Sequence, residues 1–189
     1  QDDINETMAK LAHAGKNVVR LKSGDPVIFG RAGEEMAFLK DRGIDVSIIP
    51  GVTSASAMAA QLGVSLTHRD CAQSVRFVTG HSRKGVLPAN VDWSAIADKN
   101  STTVFYMGAR TAPQIAQTLL DRGLDPATPV SVCSAVSRAS TREWHGTVAG
   151  LPDGVTALGL DQPLLIGVGQ VFAKAAAAAP AHLPEALVG

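Results

Sequence analysis

Apolar residues along this chain switch repeatedly between helical and strand spacing, and a chain patterned that way folds into α/β layers. Ile4, Met8, Leu11 and Ala12 fall at i, i+4, i+7 and i+8 and make one helical stripe. Asp3 and Glu6 have the spacing of a capping box, and Gly15 is a natural stop. Residues 17–22 read as a strand, 34–42 as a helix ended by Gly43, and 44–49 as a second short strand closed by Pro50-Gly51. The small apolar run from Thr53 to Leu62 suits a tightly packed helix. The pattern loosens between Gly63 and Ala72, which places a domain boundary there. Beyond it, residues 74–79, 102–107, 129–133, 143–148 and 164–168 read as strands. Residues 93–97 read as one helical turn, 112–122 as a helix stopped by Gly123, and 80–91 as a long polar loop. Strands alternating with helices of this length imply largely parallel pairing. The Ala run 175–179 before Pro180 reads as the end of a last helix, followed by a frayed tail.

Residue types exclude several classes. With 17 basic and 17 acidic residues the formal net charge is zero, so a general nucleic-acid partner, which needs a basic face, is not expected. Hydrophobic residues at 46% and charged residues at 18% are a globular balance, not a disordered one. Cys71 and Cys133 form no CxxC and read as packing residues; a disulfide scaffold and a zinc site are not expected. His13, His68, His81, His145 and His182 are not spaced as a metal pair, so no metal is expected. No apolar run reaches the roughly 18 residues of a membrane span. The chain opens on Gln1-Asp2-Asp3, without an initiator Met and without a signal or transit pattern, and the expected location is cytoplasmic.

Ligands of open α/β sheets collect at the carboxyl ends of strands. Three such ends are rich in small or turn residues: Ser23-Gly24-Asp25-Pro26, Pro50-Gly51-Val52-Thr53-Ser54 and Met107-Gly108-Ala109. Thr53 and Ser54 sit at a helix start, where free N–H groups suit an anionic group. His68 and His81 stand beside Arg69 and Arg83, a pairing compatible with an anion. Two motifs fail on inspection. His68-Arg69-Asp70 lacks the Asn that a kinase catalytic loop needs five positions after its Asp, where Val75 stands. Gly167-Val168-Gly169 begins a GxGxxG pattern that ends on Phe172.

Read in order, the segments carry a resemblance. Residues 19–31 (Val-Arg-Leu-Lys-Ser-Gly-Asp-Pro-Val-Ile-Phe-Gly-Arg), Gly33-Glu34-Glu35 and Ile49-Pro50-Gly51-Val52-Thr53-Ser54 resemble the tetrapyrrole methylase family. Leu66-Thr67-His68-Arg69-Asp70, Gln73-Ser74-Val75-Arg76 and Val78-Thr79-Gly80-His81 resemble its uroporphyrinogen-III C-methyltransferase branch. Val104-Phe105-Tyr106-Met107-Gly108 and His145-Gly146-Thr147 continue the match. The resemblance implies two α/β/α layered domains, the first incomplete: residues 1–66 and 67–175, with 176–189 as a tail. It implies a homodimer, with S-adenosyl-L-methionine bound in the cleft between the domains and released as S-adenosyl-L-homocysteine. It implies C-methylation of uroporphyrinogen III at C2 and C7 to precorrin-2, on the way to sirohaem or cobalamin. By motif, the cofactor contacts are Ser23, Gly24, Asp25, Ile28, Thr53, Ser54, Met107, Val136 and Leu164. Arg20, Arg31, Arg69 and Arg76 are the candidate cations for a substrate with eight carboxylates, because guanidinium pairs with carboxylate bidentately.

The chain departs from the family at several places. Ser23 stands where the family has Gly, Val27 where it has an aromatic, and Ser134-Ala135-Val136 where it is rich in Asn and Gly. The family's opening GxGPGD loop and its acid/base pair have no counterpart after Gln1. The expectation is therefore a truncated chain with no assignable catalytic residue, inactive by itself. Three alternatives remain open: a related precorrin methyltransferase on the same fold, a non-catalytic dimerisation or regulatory fragment, and an RNA methylase, which the charge balance disfavours.

Overall fold

The computed structural model describes residues 1–82 and 85–175. Arg83, the tail 176–189 and most of the Ala run at 175–179 fall outside the described residues. The chain divides into two compact units, Gln1–Ser54 and a second that begins at Ala55.

In the first unit, α1 (Asp2–His13) and α2 (Ala32–Lys40) pack together through Met8, Ala9 and Leu39, with Phe38, Ile44 and Val46 against them. The buried face of α1 is Asn5, Met8 and Ala9, so the stripe is turned from the one the sequence suggests: Ile4 and Leu11 are exposed. No capping box forms. Gln1 is the N-cap, and its side-chain amide donates instead to Asn5 Oδ1 at 3.1 Å and Glu35 Oε1 at 2.8 Å. The helix stops as expected. Gly15 takes φ +70°, its N–H donates to the Ala12 carbonyl and the Lys16 N–H to that of Leu11, which caps the last carbonyls.

The strands expected at 17–22 and 44–49 are absent; both runs lie outside any ladder among the described residues. A strand is a pairing rather than a property of a run, and an alternating apolar pattern specifies a face without supplying a partner. Val19, Leu21 and Ile49 are accordingly 80%, 83% and 80% exposed.

The second unit is built on a five-stranded sheet of order β1-β2-β5-β3-β4. The strands are β1 (Ser74–Thr79), β2 (Ser101–Tyr106), β3 (Pro129–Ser134), β4 (Arg142–Thr147) and β5 (Leu164–Val168). Its helices are α3 (Ser54–Gln61, whose first residue closes the first unit), α4 (Trp93–Ile96), α5 (Ala112–Asp121) and α6 (Leu151–Leu158). Only β1 and β2 pair in parallel; β2–β5, β5–β3 and β3–β4 are antiparallel, which corrects the expectation of largely parallel pairing. The cause is local. No helix separates β3 from β4, so the chain must reverse between them, and β5 enters between β2 and β3 running against both.

The sequence reading assigns no element to residues 151–158, where Pro152 and Gly154 interrupt the apolar pattern and the structure has α6. Pro152 sits in the first turn, where its missing N–H costs nothing. Gly154 lies under the Trp144 indole, and a Cβ there would come within 2.3 Å of the ring. One sheet face and α4–α6 enclose the main core, in which Phe105 stacks on Trp93 at 5.9 Å between ring centroids. On the opposite face Phe172 covers Gly167, where a Cβ would meet the ring at 2.2 Å.

The register decides which loops meet. Tyr106 pairs with Leu165, Cys133 with Leu165, and Ser134 with Leu164. β2 and β3 thus end where β5 begins, and Met107, Val136 and Leu164 emerge at one end of the sheet from adjacent strands.

Candidate functional site

In the first unit, Asp25 ties two loops together. Its Oδ1 accepts from the Val27 N–H at 2.9 Å, closing a turn across Pro26, and its Oδ2 accepts from the Gly51 N–H at 3.1 Å. The backbones touch at this point: a Cβ on Gly51 would lie 2.3 Å from the Gly24 carbonyl oxygen. Ser54 is the nearest side chain to Gly24. The loops carrying Ser23, Gly24, Asp25 and Ile28 and those carrying Thr53 and Ser54 are therefore one structure. Both Asp25 oxygens are committed to main-chain amides. Ser23 tolerates its place because Gly24, at φ +74°, takes the left-handed conformation beside it.

Arg20 and Lys22 converge on Glu35, at 3.4 Å and 2.9 Å. Burial alone would raise the Glu35 carboxyl. The hydrogen bonds from Lys22 and Gln1 and the charges of Lys22 and Arg20 outweigh it and hold the carboxyl below its ordinary value. Arg31 begins α2 at φ +59° and clasps Glu34 through two bonds, Nε to Oε1 at 3.0 Å and Nη2 to Oε2 at 2.6 Å.

In the second unit, Met107 stands at the end of β2 with φ +57° and is 45% exposed. The following Gly108 is pressed against Gly80 at the end of β1, where a Cβ would lie 2.3 Å from the Gly108 Cα. Thr111 Oγ1 donates to the Gly80 carbonyl at 2.6 Å and fixes that approach. Val136 sits between Ala135 at φ +51° and Ser137 at φ +65°. Leu164 is buried with its side chain in the core, so main chain is what it presents at the sheet end. Arg76 is engaged by the Ser101 hydroxyl and by Asp98 at 3.5 Å. Arg69 is exposed beside the His68–Ala72 bridge, with its guanidinium unpaired among the described residues. Cys133 is buried, and burial first, then the Glu143 carboxylate, push its thiol up, in keeping with a packing role. No group of three or more His, Cys, Asp or Glu suited to a metal occurs among the described residues, and none of their helices is long and apolar enough to cross a membrane.

Backbone strain marks the same loops. Among the described residues, the non-glycine residues at positive φ are Phe29, Arg31, Met107, Ala135 and Ser137. Each lies within three positions of Ile28 or Val136, or is Met107 itself. Such conformations cost about 1–3 kcal/mol each and cluster at ligand sites. Nothing in the sequence marks Phe29, Ala135 or Ser137, because non-glycine residues adopt this conformation only under tertiary constraint.

The tetrapyrrole (corrin/porphyrin) methylase family matches residues 1–152. The chain is 48% identical over 174 residues to the S-adenosyl-L-methionine-dependent uroporphyrinogen III methyltransferase of Arabidopsis thaliana chloroplasts, covering 90% of this chain and 46% of that protein. It is 46% identical over 171 residues to a siroheme synthase of Chromobacterium violaceum, covering 90% and 36%. It spans less than half the length of these curated relatives. Among solved structures, uroporphyrin-III C-methyltransferase from Thermus thermophilus with S-adenyl homocysteine aligns with TM-score 0.77 and 35% identity, covering 90% of this chain and 74% of that one. A cobalt precorrin-4 methyltransferase aligns with TM-score 0.82 and 28% identity, covering 90% and 71%. With paired turns held at strained backbone and a family match across most of its length, the chain belongs to the tetrapyrrole methylase family.

Proposed function

We propose that this chain is the methylase portion of an S-adenosyl-L-methionine-dependent uroporphyrinogen-III C-methyltransferase. The observation that carries the reading is the coincidence of the strained positions with the loops of the candidate cofactor residues. Those residues suit an adenosyl ligand. The Gly24–Gly51 and Gly80–Gly108 approaches remove side chains from two turns and leave main-chain groups to face a ligand. The proposed cofactor residues are Ser23, Gly24, Ile28, Thr53 and Ser54 in the first unit and, in the second, Met107, the Val136 turn and the Leu164 main chain.

When bound, the cofactor supplies an electrophilic methyl on a sulfonium. The residues' task is alignment and exclusion of water, which lowers the barrier by positioning rather than by a metal-type charge. Arg69 is the most available of the four candidate cations for a macrocycle carboxylate. The Arg31–Glu34 clasp would have to share or exchange its guanidinium to make a second such contact. Arg20 and Arg76 already serve Glu35 and Asp98, and their roles as substrate cations are correspondingly secondary. A cytoplasmic homodimer completes the reading.

The test is turnover of uroporphyrinogen III by the full-length gene product. Mass spectrometry should show one and then two added methyl groups. A second reading, methylation of a later corrin precursor, is favoured by the higher TM-score of the precorrin-4 enzyme. The higher identity to uroporphyrinogen relatives weighs against it. Turnover of a precorrin-4 substrate with none of uroporphyrinogen III would reverse the assignment.

A further inference from the structure

A side-chain network on the second unit reaches the Val136 turn from behind. The β3–β4 register sets Ser131 opposite His145 and Cys133 opposite Glu143, so all four share one sheet face. Ser131 Oγ and His145 Nδ1 are 2.8 Å apart, and His145 Nε2 lies 3.5 Å from Glu143 Oε2. The other Glu143 oxygen accepts from the Gln61 side-chain amide at 2.5 Å. Gln61 Oε1 in turn accepts from the Ser137 N–H at 3.4 Å. Ser137 is the left-handed residue directly after Val136.

Gln61 ends α3, and the helix is pinned at its other end, where the Ala55 N–H donates to the Tyr106 hydroxyl at 3.0 Å. Tyr106, Leu165, Cys133 and Glu143 form one row across β2, β5, β3 and β4. Three strand spacings amount to about 14 Å. Residues 55 to 61 rise about 9 Å along a helix, and the Gln61 side chain covers the remainder. α3 is thus a strut along this row. The turn has other restraints: the Ala135 N–H donates to the Pro163 carbonyl at 3.0 Å, and the Ala135 carbonyl accepts from the Arg138 N–H at 3.1 Å, which closes the turn across Val136 and Ser137, and from Thr141 Oγ1 at 2.8 Å; none of these engages the Ser137 N–H. Gln61 is the described partner of the Ser137 amide.

We infer that Gln61 is a positioning residue for the cofactor. It holds the Val136 turn in its left-handed form, Glu143 orients the Gln61 amide, and His145 with Ser131 orients Glu143. The inference rests on the assignment of the Val136 turn to the cofactor. Its test is calorimetry with S-adenosylhomocysteine and steady-state turnover with S-adenosylmethionine, on the full-length gene product. Gln61→Met keeps the volume and helix propensity but removes both hydrogen bonds. It should weaken S-adenosylhomocysteine binding roughly three- to tenfold, the range expected for losing one or two net hydrogen bonds. The S-adenosylmethionine KM should rise in step, with kcat and the tetrapyrrole KM unchanged, a split that simple loss of folded protein does not produce. Glu143→Ala should behave like Gln61→Met, whereas Glu143→Gln, which keeps an oxygen for the Gln61 amide, should bind like the natural protein. This pair reports even if Gln61→Met does not fold. Unchanged affinity in Gln61→Met or Glu143→Ala, with Val136→Asp weakened, overturns the inference alone. Unchanged affinity in Val136→Asp as well removes the turn from the cofactor site, and the inference falls with that reading.

Discussion

Replacing Asp25 separates two roles that the residue type leaves confounded: ligand contact and loop clamp. In the structure both carboxylate oxygens already accept main-chain N–H bonds, from Val27 and Gly51. Hydrogen bonds to a charged group contribute about 1.5–3 kcal/mol each, and partial exposure of Asp25 sets the lower end of that range. Asp25→Ala should therefore lower the local opening free energy of the paired loops by about 3 kcal/mol. At about 1.4 kcal/mol per tenfold, the Val27 and Gly51 amides should exchange with solvent roughly 150-fold faster, in protein free of any ligand. The assay is amide hydrogen exchange read by mass spectrometry on peptides covering residues 23–28 and 50–54, with calorimetric S-adenosylhomocysteine affinity alongside. The clamp account expects faster exchange in the free protein together with weaker binding. Weaker binding with natural exchange rates would make Asp25 a direct ligand and refute the clamp.

Further outcomes follow from other positions. Met107→Gly relieves a positive φ at an exposed side chain, so the melting temperature should hold or rise while S-adenosylhomocysteine affinity drops; a fall in both would place Met107 in the structural core. Gly154→Ala drives a methyl into the Trp144 indole and should cost about 1–3 kcal/mol, a drop of roughly 2–12 °C in melting temperature, with cofactor affinity in the folded fraction unchanged. Glu35 is held below its ordinary value, so its stabilisation is fully present above 4.5 and is lost as pH falls through the depressed folded value. Glu35→Gln should destabilise the protein near neutrality and flatten the decline of melting temperature below pH 4.5; an unaltered acid limb would show that the carboxylate is not the group responsible.

What the sequence disclosed depended on whether the signal was local. β5 has the bounds its apolar pattern predicts and α5 lies within one residue of them, since both carry clean period and Gly123 stops α5 just beyond its C-cap. α6 was hidden because Gly154 answers to Trp144, ten positions earlier and on another element, rather than to a turn. Residues 17–22 and 44–49 have strand composition, yet composition cannot supply a neighbouring ladder. The candidate loops were legible as small-residue turns. Asp25 before Pro26 reads as a turn residue, as its bond from the Val27 N–H shows, whereas its second bond is not legible, because Gly51 lies on another loop and only folding brings its N–H within reach. Arg20 and Arg76 read equally as substrate cations or as members of structural ion pairs, and the partners Glu35 and Asp98 are not legible because they arrive through tertiary structure. Arg31 is the exception, since Glu34 stands three positions away on the same helical turn and the pair could have been anticipated.

The central claim is that the strained turns are where an adenosyl ligand binds. Hydrogen exchange of the full-length gene product with and without S-adenosylhomocysteine tests it most directly. Protection confined to peptides spanning residues 23–31, 50–54, 105–109 and 134–138 is the predicted result. Binding that protects other segments and leaves these four unchanged would contradict it.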